Sequence, residues 1–202
     1  MSNLCRRWLF AVVIFVATAL AASAQTFQTL VKFSGRNGQG PVGGLIQGIN
    51  GAFYGTAAEG GANGQGVIFA TNAGGGVRVL YNFCTEPNCL DGADPQAGLI
   101  LATDGNFYGT TLHGGTVSGD CPNCGTIFKI TPNGTFKTLY SFCSQTHCAD
   151  GYEPASNLIQ ASDFNFYGTA SSGGTHNGGT IFRLTRGGAF EILYSFCSKT
   201  NC

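Results

Sequence analysis

The sequence predicts an all-β protein, a β-propeller-like array of four-stranded antiparallel blades, and three observations carry that prediction. The first is repetition. Phe53-Tyr54-Gly55-Thr56 returns as Phe107-Tyr108-Gly109-Thr110 and as Phe166-Tyr167-Gly168-Thr169, while Ile68-Phe69 returns as Ile127-Phe128 and Ile181-Phe182. Self-similarity at a period of about 50 to 60 residues marks stacked units that cannot bury their apolar faces alone. The second is alternation of apolar and polar residues at the period of a half-buried strand. The third is punctuation by Asn50-Gly51, Asp104-Gly105 and Asn133-Gly134, which sit where tight hairpins join strands.

The N-terminus is read before the repeats. Arg6 and Arg7 precede an apolar run from Trp8 to Ala22, and Ala22-Ser23-Ala24 places small residues beside Gln25. This is the layout of a secretory signal peptide at 1–24, with an uncleaved anchor as the alternative. The run is shorter than the ~20 residues a membrane span needs, and no second such run follows, so no membrane span is expected after signal removal.

The remaining 178 residues, 25–202, form one repeat domain. Repeats are placed at about 27–76, 77–134 and 135–188, with a partial copy at 189–202. With strands labelled a to d, each d strand should present one row of side chains: Val77, Val79, Tyr81 and Phe83; then Phe136, Thr138, Tyr140 and Phe142; then Phe190, Ile192, Tyr194 and Phe196. In the c strand of the third copy, Thr180, Phe182 and Leu184 face inward. Residues 27–33 align with the d strands, which predicts an orphan strand ahead of about three blades. Closed propellers take four to eight blades, so an incomplete ring is expected: a fragment of a longer repeat protein, or an arc completed by self-association.

Composition agrees with short, tightly turned strands. Charged residues make up 10% of the chain and glycines number 32, a low-charge balance opposite to that of disorder. Without residues 1–24 the chain carries eight basic and ten acidic residues, a net charge of −2. Such a surface has no electrostatic means of gripping nucleic acid.

Eight cysteines follow the signal segment. Cys84 with Cys89, Cys143 with Cys148, and Cys197 with Cys202 form Cys-x4-Cys pairs at equivalent points after the d strands, which in an exported chain argues for local disulfides. Cys121 and Cys124 lie in a loop insertion of the middle copy. They read as a loop staple, with half a zinc site or a redox centre as the alternatives.

Candidate functional residues lie in the long loops. If strands run alternately up and down, the b-to-c loops and d-to-a connections share one face, where binding is expected. Glu59, His113 and Ser172 occupy one equivalent position there, and His113 and His176 read as exposed loop residues. Asp91 and Asp94 before Pro95 recur as Asp150 and Glu153 before Pro154. These carboxylates are calcium candidates, although turn formation explains the same residues. No other cofactor or metal is expected, and no catalytic residue stands out: a nucleophile elbow and a phosphate-cradling loop are missing. Tyr54, Tyr108 and Tyr167 could stack on sugars, but blade packing demands such repetition anyway.

The run Leu158-Ile159-Gln160-Ala161-Ser162-Asp163, then Phe166-Tyr167-Gly168-Thr169, Gly173-Gly174, Gly179-Thr180-Ile181-Phe182 and Leu193-Tyr194-Ser195-Phe196 resembles the GloVer (Gloeobacter and Verrucomicrobia) tandem repeat. The resemblance covers 27–202. It implies an exported bacterial propeller-like protein, usually with more repeats and often a C-terminal anchor, and it brings no catalytic residues. The expected function is a non-enzymatic structural or binding role, with a glycan or protein ligand, in the periplasm, outside the cell or at its surface. The rival is a carbohydrate-active propeller enzyme using channel or loop carboxylates.

Overall fold

The computed structural model describes residues 27–115, 121 and 123–197. It contains three four-stranded antiparallel sheets, each built from strands consecutive in the chain. Blade 1 comprises β1 (Ile46–Gln47), β2 (Phe53–Ala57), β3 (Val67–Thr71) and β4 (Val77–Asn82). Blade 2 comprises β5 (Ile100–Leu101), β6 (Phe107–Thr111), β7 (Thr126–Ile130) and β8 (Phe136–Ser141). Blade 3 comprises β9 (Ile159–Gln160), β10 (Phe166–Ala170), β11 (Thr180–Leu184) and β12 (Phe190–Ser195). The predicted signal peptide and Cys202 lie outside the described residues. Among the described residues no helix is long and apolar enough to cross a membrane.

The repeated glycine of Phe-Tyr-Gly-Thr has a packing cause. A Cβ on Gly55, Gly109 or Gly168 would stand 2.9, 2.7 or 2.5 Å from the ring of Phe69, Phe128 or Phe182 on the neighbouring strand. Only glycine leaves room for that ring against the sheet. The tyrosine beside it joins blades: Tyr54 stacks on Phe107, and Tyr108 on Phe166, each with ring centroids 4.1 Å apart. Its hydroxyl is tied to the preceding hairpin, through Asn50, Asp104 and Asp163 respectively. Packing and hydrogen bonding thus occupy the rings of Tyr54 and Tyr108, whereas the ring of Tyr167, tied through its hydroxyl, lines a shallow cleft beside Ile159.

Two expectations about the outermost strands are corrected. Each pairs with its neighbour through an irregularity at one place, between Ile68 and Phe69, Ile127 and Phe128, and Ile181 and Phe182. Val79 lies opposite Phe69 and Tyr81 opposite Ile68, so Leu80 is the extra residue of a β-bulge. A bulge shifts side-chain alternation by one, which reverses the face. The predicted single row is therefore split. Val77 and Val79 pack with Phe69 and Phe33, while Leu80, Tyr81 and Phe83 turn to blade 2. Likewise Phe136 packs back on blade 1, whereas Leu139, Tyr140 and Phe142 join the cluster of blade 3. The resulting stacks are close: Tyr81 on Phe136 at 3.9 Å and Tyr140 on Phe190 at 3.8 Å.

Residues 27–33 form no strand, contrary to the expected orphan. They still occupy a d-strand place. Phe33 meets Phe69 edge-on at 5.1 Å, as Phe83 meets Phe128 at 5.3 Å and Phe142 meets Phe182 at 5.2 Å. The Leu30 carbonyl lies against Gly75 as the Leu80 carbonyl lies against Gly134. A d strand takes its hydrogen bonds from the c strand of its own blade. Among the described residues none stands beside 27–33 to supply them.

Candidate functional site

The cysteine loops carry one construction twice. Behind Phe83 the backbone turns at Cys84 and closes on Cys89 through a disulfide, and Cys143 and Cys148 repeat it. Asp91 lies inside the turn with no exposed surface. Its Oδ2 accepts hydrogen bonds from the Tyr81 hydroxyl at 2.7 Å, the Thr85 amide at 2.9 Å and the Thr85 hydroxyl at 2.8 Å, and its Oδ1 accepts from the Glu86 amide. Asp150 has the same set from Tyr140, Ser144 and Gln145. A calcium ion needs carboxylate oxygens free to coordinate it, whereas these oxygens are aimed at donors. Burial first, and then the Asp150 carboxylate, raises the Tyr140 hydroxyl above the ordinary tyrosine range. Tyr81 is raised likewise, chiefly by burial.

Beyond the clasp, each connection pairs with the next blade's long loop. Gln39 bridges Glu59, Ala93 bridges His113, and Tyr152 bridges Ser172 through paired backbone hydrogen bonds. Three equivalent positions singled out in the sequence thus each stand on the same kind of backbone bridge, one per blade, along the loop face. Next to the second and third bridges the connection supplies a carboxylate: Asp94 Oδ2 lies 3.3 Å from His113 Nδ1, and the Ser172 hydroxyl donates to Glu153. His176 instead meets the Thr175 hydroxyl at 3.0 Å.

Between blades 1 and 2 these side chains converge. Glu59, Asp94 and His113, with Gln65 and Gln96, line an open cleft of about 370 Å³. Gln39 donates to Glu59 at 2.9 Å, and Gln96 donates to Asp94 at 3.0 Å. The two glutamines Gln39 and Gln96 carry no motif and were invisible in the sequence. At the opposite end, among the hairpins of blades 2 and 3, a second cleft is lined by Lys129, Lys137 and Arg186. Partial burial works against ionisation of Asp104 there. Its hydrogen bonds from Lys129, Asn106 and Tyr108 prevail and hold it below the usual carboxylate range.

A model of the Gloeobacter/Verrucomicrobia repeat matches residues 13–202. The chain belongs to that repeat family. No curated protein matches. Among solved structures, the X-ray structure of a protein assigned provisionally as a gluconolactonase is similar at 15% identity and a TM-score of 0.49, covering 74% of this chain. The chain spans about half that structure, 47% of its length. In Gloeobacter/Verrucomicrobia repeat terms, the clasp aspartate and its tyrosine are constant between copies of this chain, whereas the cleft position changes from glutamate to histidine to serine.

Proposed function

We propose that this protein is an exported, non-enzymatic repeat protein whose loop face binds a polar ligand, a glycan or an exposed protein segment. The observation that carries the reading is the cleft of Glu59, Asp94 and His113. It places varied donors and acceptors on a backbone ladder that does not vary. Scaffold positions repeat because packing requires it, while loops held by a rigid scaffold are free to specialise. Export is supported by the intramolecular disulfides, which persist in oxidising compartments. The test is a binding screen of glycans, cell-wall fragments and surface proteins, run with the wild type and with Glu59→Ala and His113→Ala. Loss of one interaction in the variants supports the reading, and binding indifferent to both removes it.

A second reading has one observation in its favour: Glu59 and Asp94 are two carboxylates lining a single cleft. A carbohydrate-active enzyme would use such a pair as acid and base. Release of reducing ends from an oligosaccharide panel, abolished by Glu59→Gln, would select this reading over binding alone.

The outer face of blade 3 completes the proposal. Tyr194 and Phe196 are 46% and 41% exposed, although Phe83 and Phe142 at the latter position are fully buried by the next blade. Thr169 bonds to Ser156 of its own blade, whereas Thr56 and Thr110 donate to carbonyls of the following connection. This face suits another blade of the same kind, from the same polypeptide or from a second copy.

A further inference from the structure

Cys124 places a sulfur where the neighbouring repeats have none. The residue before the glycine that leads into the c strand is Gln65 in blade 1, Cys124 in blade 2 and Gly178 in blade 3. The backbone is held alike in the first two, since the Asp94 amide donates to the Gln65 carbonyl at 2.9 Å and the Glu153 amide to the Cys124 carbonyl at 3.0 Å. A side chain at this position points at the first cysteine of the clasp, because a Cβ on Gly178 would stand 2.8 Å from Cys197 Sγ. In blade 2 that first cysteine is Cys143. The Sγ atoms of Cys124, Cys143 and Cys148 lie within 4.8 Å of one another, and all three residues are buried. Cys121, bonded to Cys124, is only half-buried, so the pair leads from the surface to the clasp.

We propose that these four cysteines form an internal thiol–disulfide exchange centre, in which a dithiol reductant acting on the Cys121–Cys124 pair opens the buried Cys143–Cys148 clasp. The reductant leaves as its own disulfide and delivers two electrons and two protons, which convert Cys121 and Cys124 to thiols. Cys124, losing its proton to solvent, attacks one sulfur of the Cys143–Cys148 bond. A new sulfur–sulfur bond forms there, and the other sulfur departs as a thiolate and takes up a proton. Cys121 then loses its proton and attacks Cys124, which restores the Cys121–Cys124 disulfide and releases the second clasp sulfur as a thiol. The net result is oxidation of the reductant and reduction of the clasp. The Cys148 carbonyl accepts hydrogen bonds from Gly151 and from Gly174 of the next blade's loop, so opening this bond loosens the loop face at blade 3. Cys84–Cys89, beside Gln65, has no such partner.

The test is brief exposure of the folded protein to dithiothreitol, quenching by alkylation, and peptide mapping. The wild type should lose the Cys143–Cys148 bond at least roughly tenfold faster than Cys84–Cys89, the least advantage expected of a positioned internal attack. In the double variant Cys121→Ser with Cys124→Ser that advantage should vanish, the half-buried Cys84–Cys89 bond being reduced at least as fast as the buried Cys143–Cys148 bond. Equal rates in the wild type, or an unchanged rate in the double variant, would overturn the proposal. In Cys121→Ser, the bond from Cys124 to Cys143 or Cys148 should be isolated with the displaced thiol alkylated. Recovery of Cys143–Cys148 alone, with Cys124 free in every chain, would also overturn it.

Discussion

The hydroxyl of Tyr140 donates to the buried carboxylate of Asp150 at 2.7 Å, and the same ring lies flat on Phe190 of the next blade at 3.8 Å. One side chain therefore joins the cysteine loop of its own repeat to the core of the following one. Tyr81 repeats the arrangement with Asp91 and Phe136. Tyr140→Phe keeps the stack and removes one donor to a charged acceptor, for which a loss of about 1.5–3 kcal/mol is expected. Thermal unfolding should show the lowered midpoint, while Asp150→Ala, which also strands the Ser144 and Gln145 amides, should cost more.

The same pair predicts a loss of stability in alkali. Burial and the adjacent carboxylate raise the ionisation of Tyr81 and Tyr140 above the ordinary tyrosine value of about 10. A native value raised above the unfolded one gives stability that is fully present below the unfolded value. It is lost as pH climbs from there through the native value. Denaturant midpoints measured across that window should fall, and the Tyr81→Phe, Tyr140→Phe double variant should show a flatter profile.

Equivalent phenylalanines should differ sharply in cost. Phe142 is fully buried between blades 2 and 3, so Phe142→Ala is expected to cost about 3–5 kcal/mol. Phe196 is 41% exposed, and Phe196→Ala should cost well under half of that in the isolated chain. Chemical denaturation of both variants measures the contrast. A large loss at Phe196 in dilute monomer would mean that its face is already covered.

One turn of blade 3 should be improvable. Phe164 has φ +63° and is 49% exposed, at the position that Gly51 and Gly105 occupy in the other hairpins. A left-handed conformation costs a non-glycine residue about 1–2 kcal/mol. Phe164→Gly should therefore raise the thermal midpoint, and a lowered one would assign the exposed ring a packing role.

Strands and hairpins were legible because they depend on local signals: Phe-Tyr-Gly-Thr, the Asn-Gly and Asp-Gly turns, and alternation in the c strands. The face of the d strand was not. The extra residue that reverses it is Leu80, Leu139 or Leu193, and its trace is a run of three apolar residues such as Val79-Leu80-Tyr81 where alternation calls for two. Asp91 and Asp150 were seen as carboxylates, but their donors come from an amide pair and from a tyrosine ten residues away. No spacing rule reads such a set. The cleft of Glu59, Asp94 and His113 joins residues of different blades, and only the backbone ladder between connection and loop brings them together.

The central claim, that the loop face is the binding face, is tested most directly by mapping amide shifts in a nuclear magnetic resonance titration with the ligand found by the binding screen. Perturbations are expected at Glu59, Asp94, Gln96 and His113, with the hairpin cleft of Lys129, Lys137 and Arg186 silent. Shifts confined to the hairpin cleft, with the loop face silent, would contradict it.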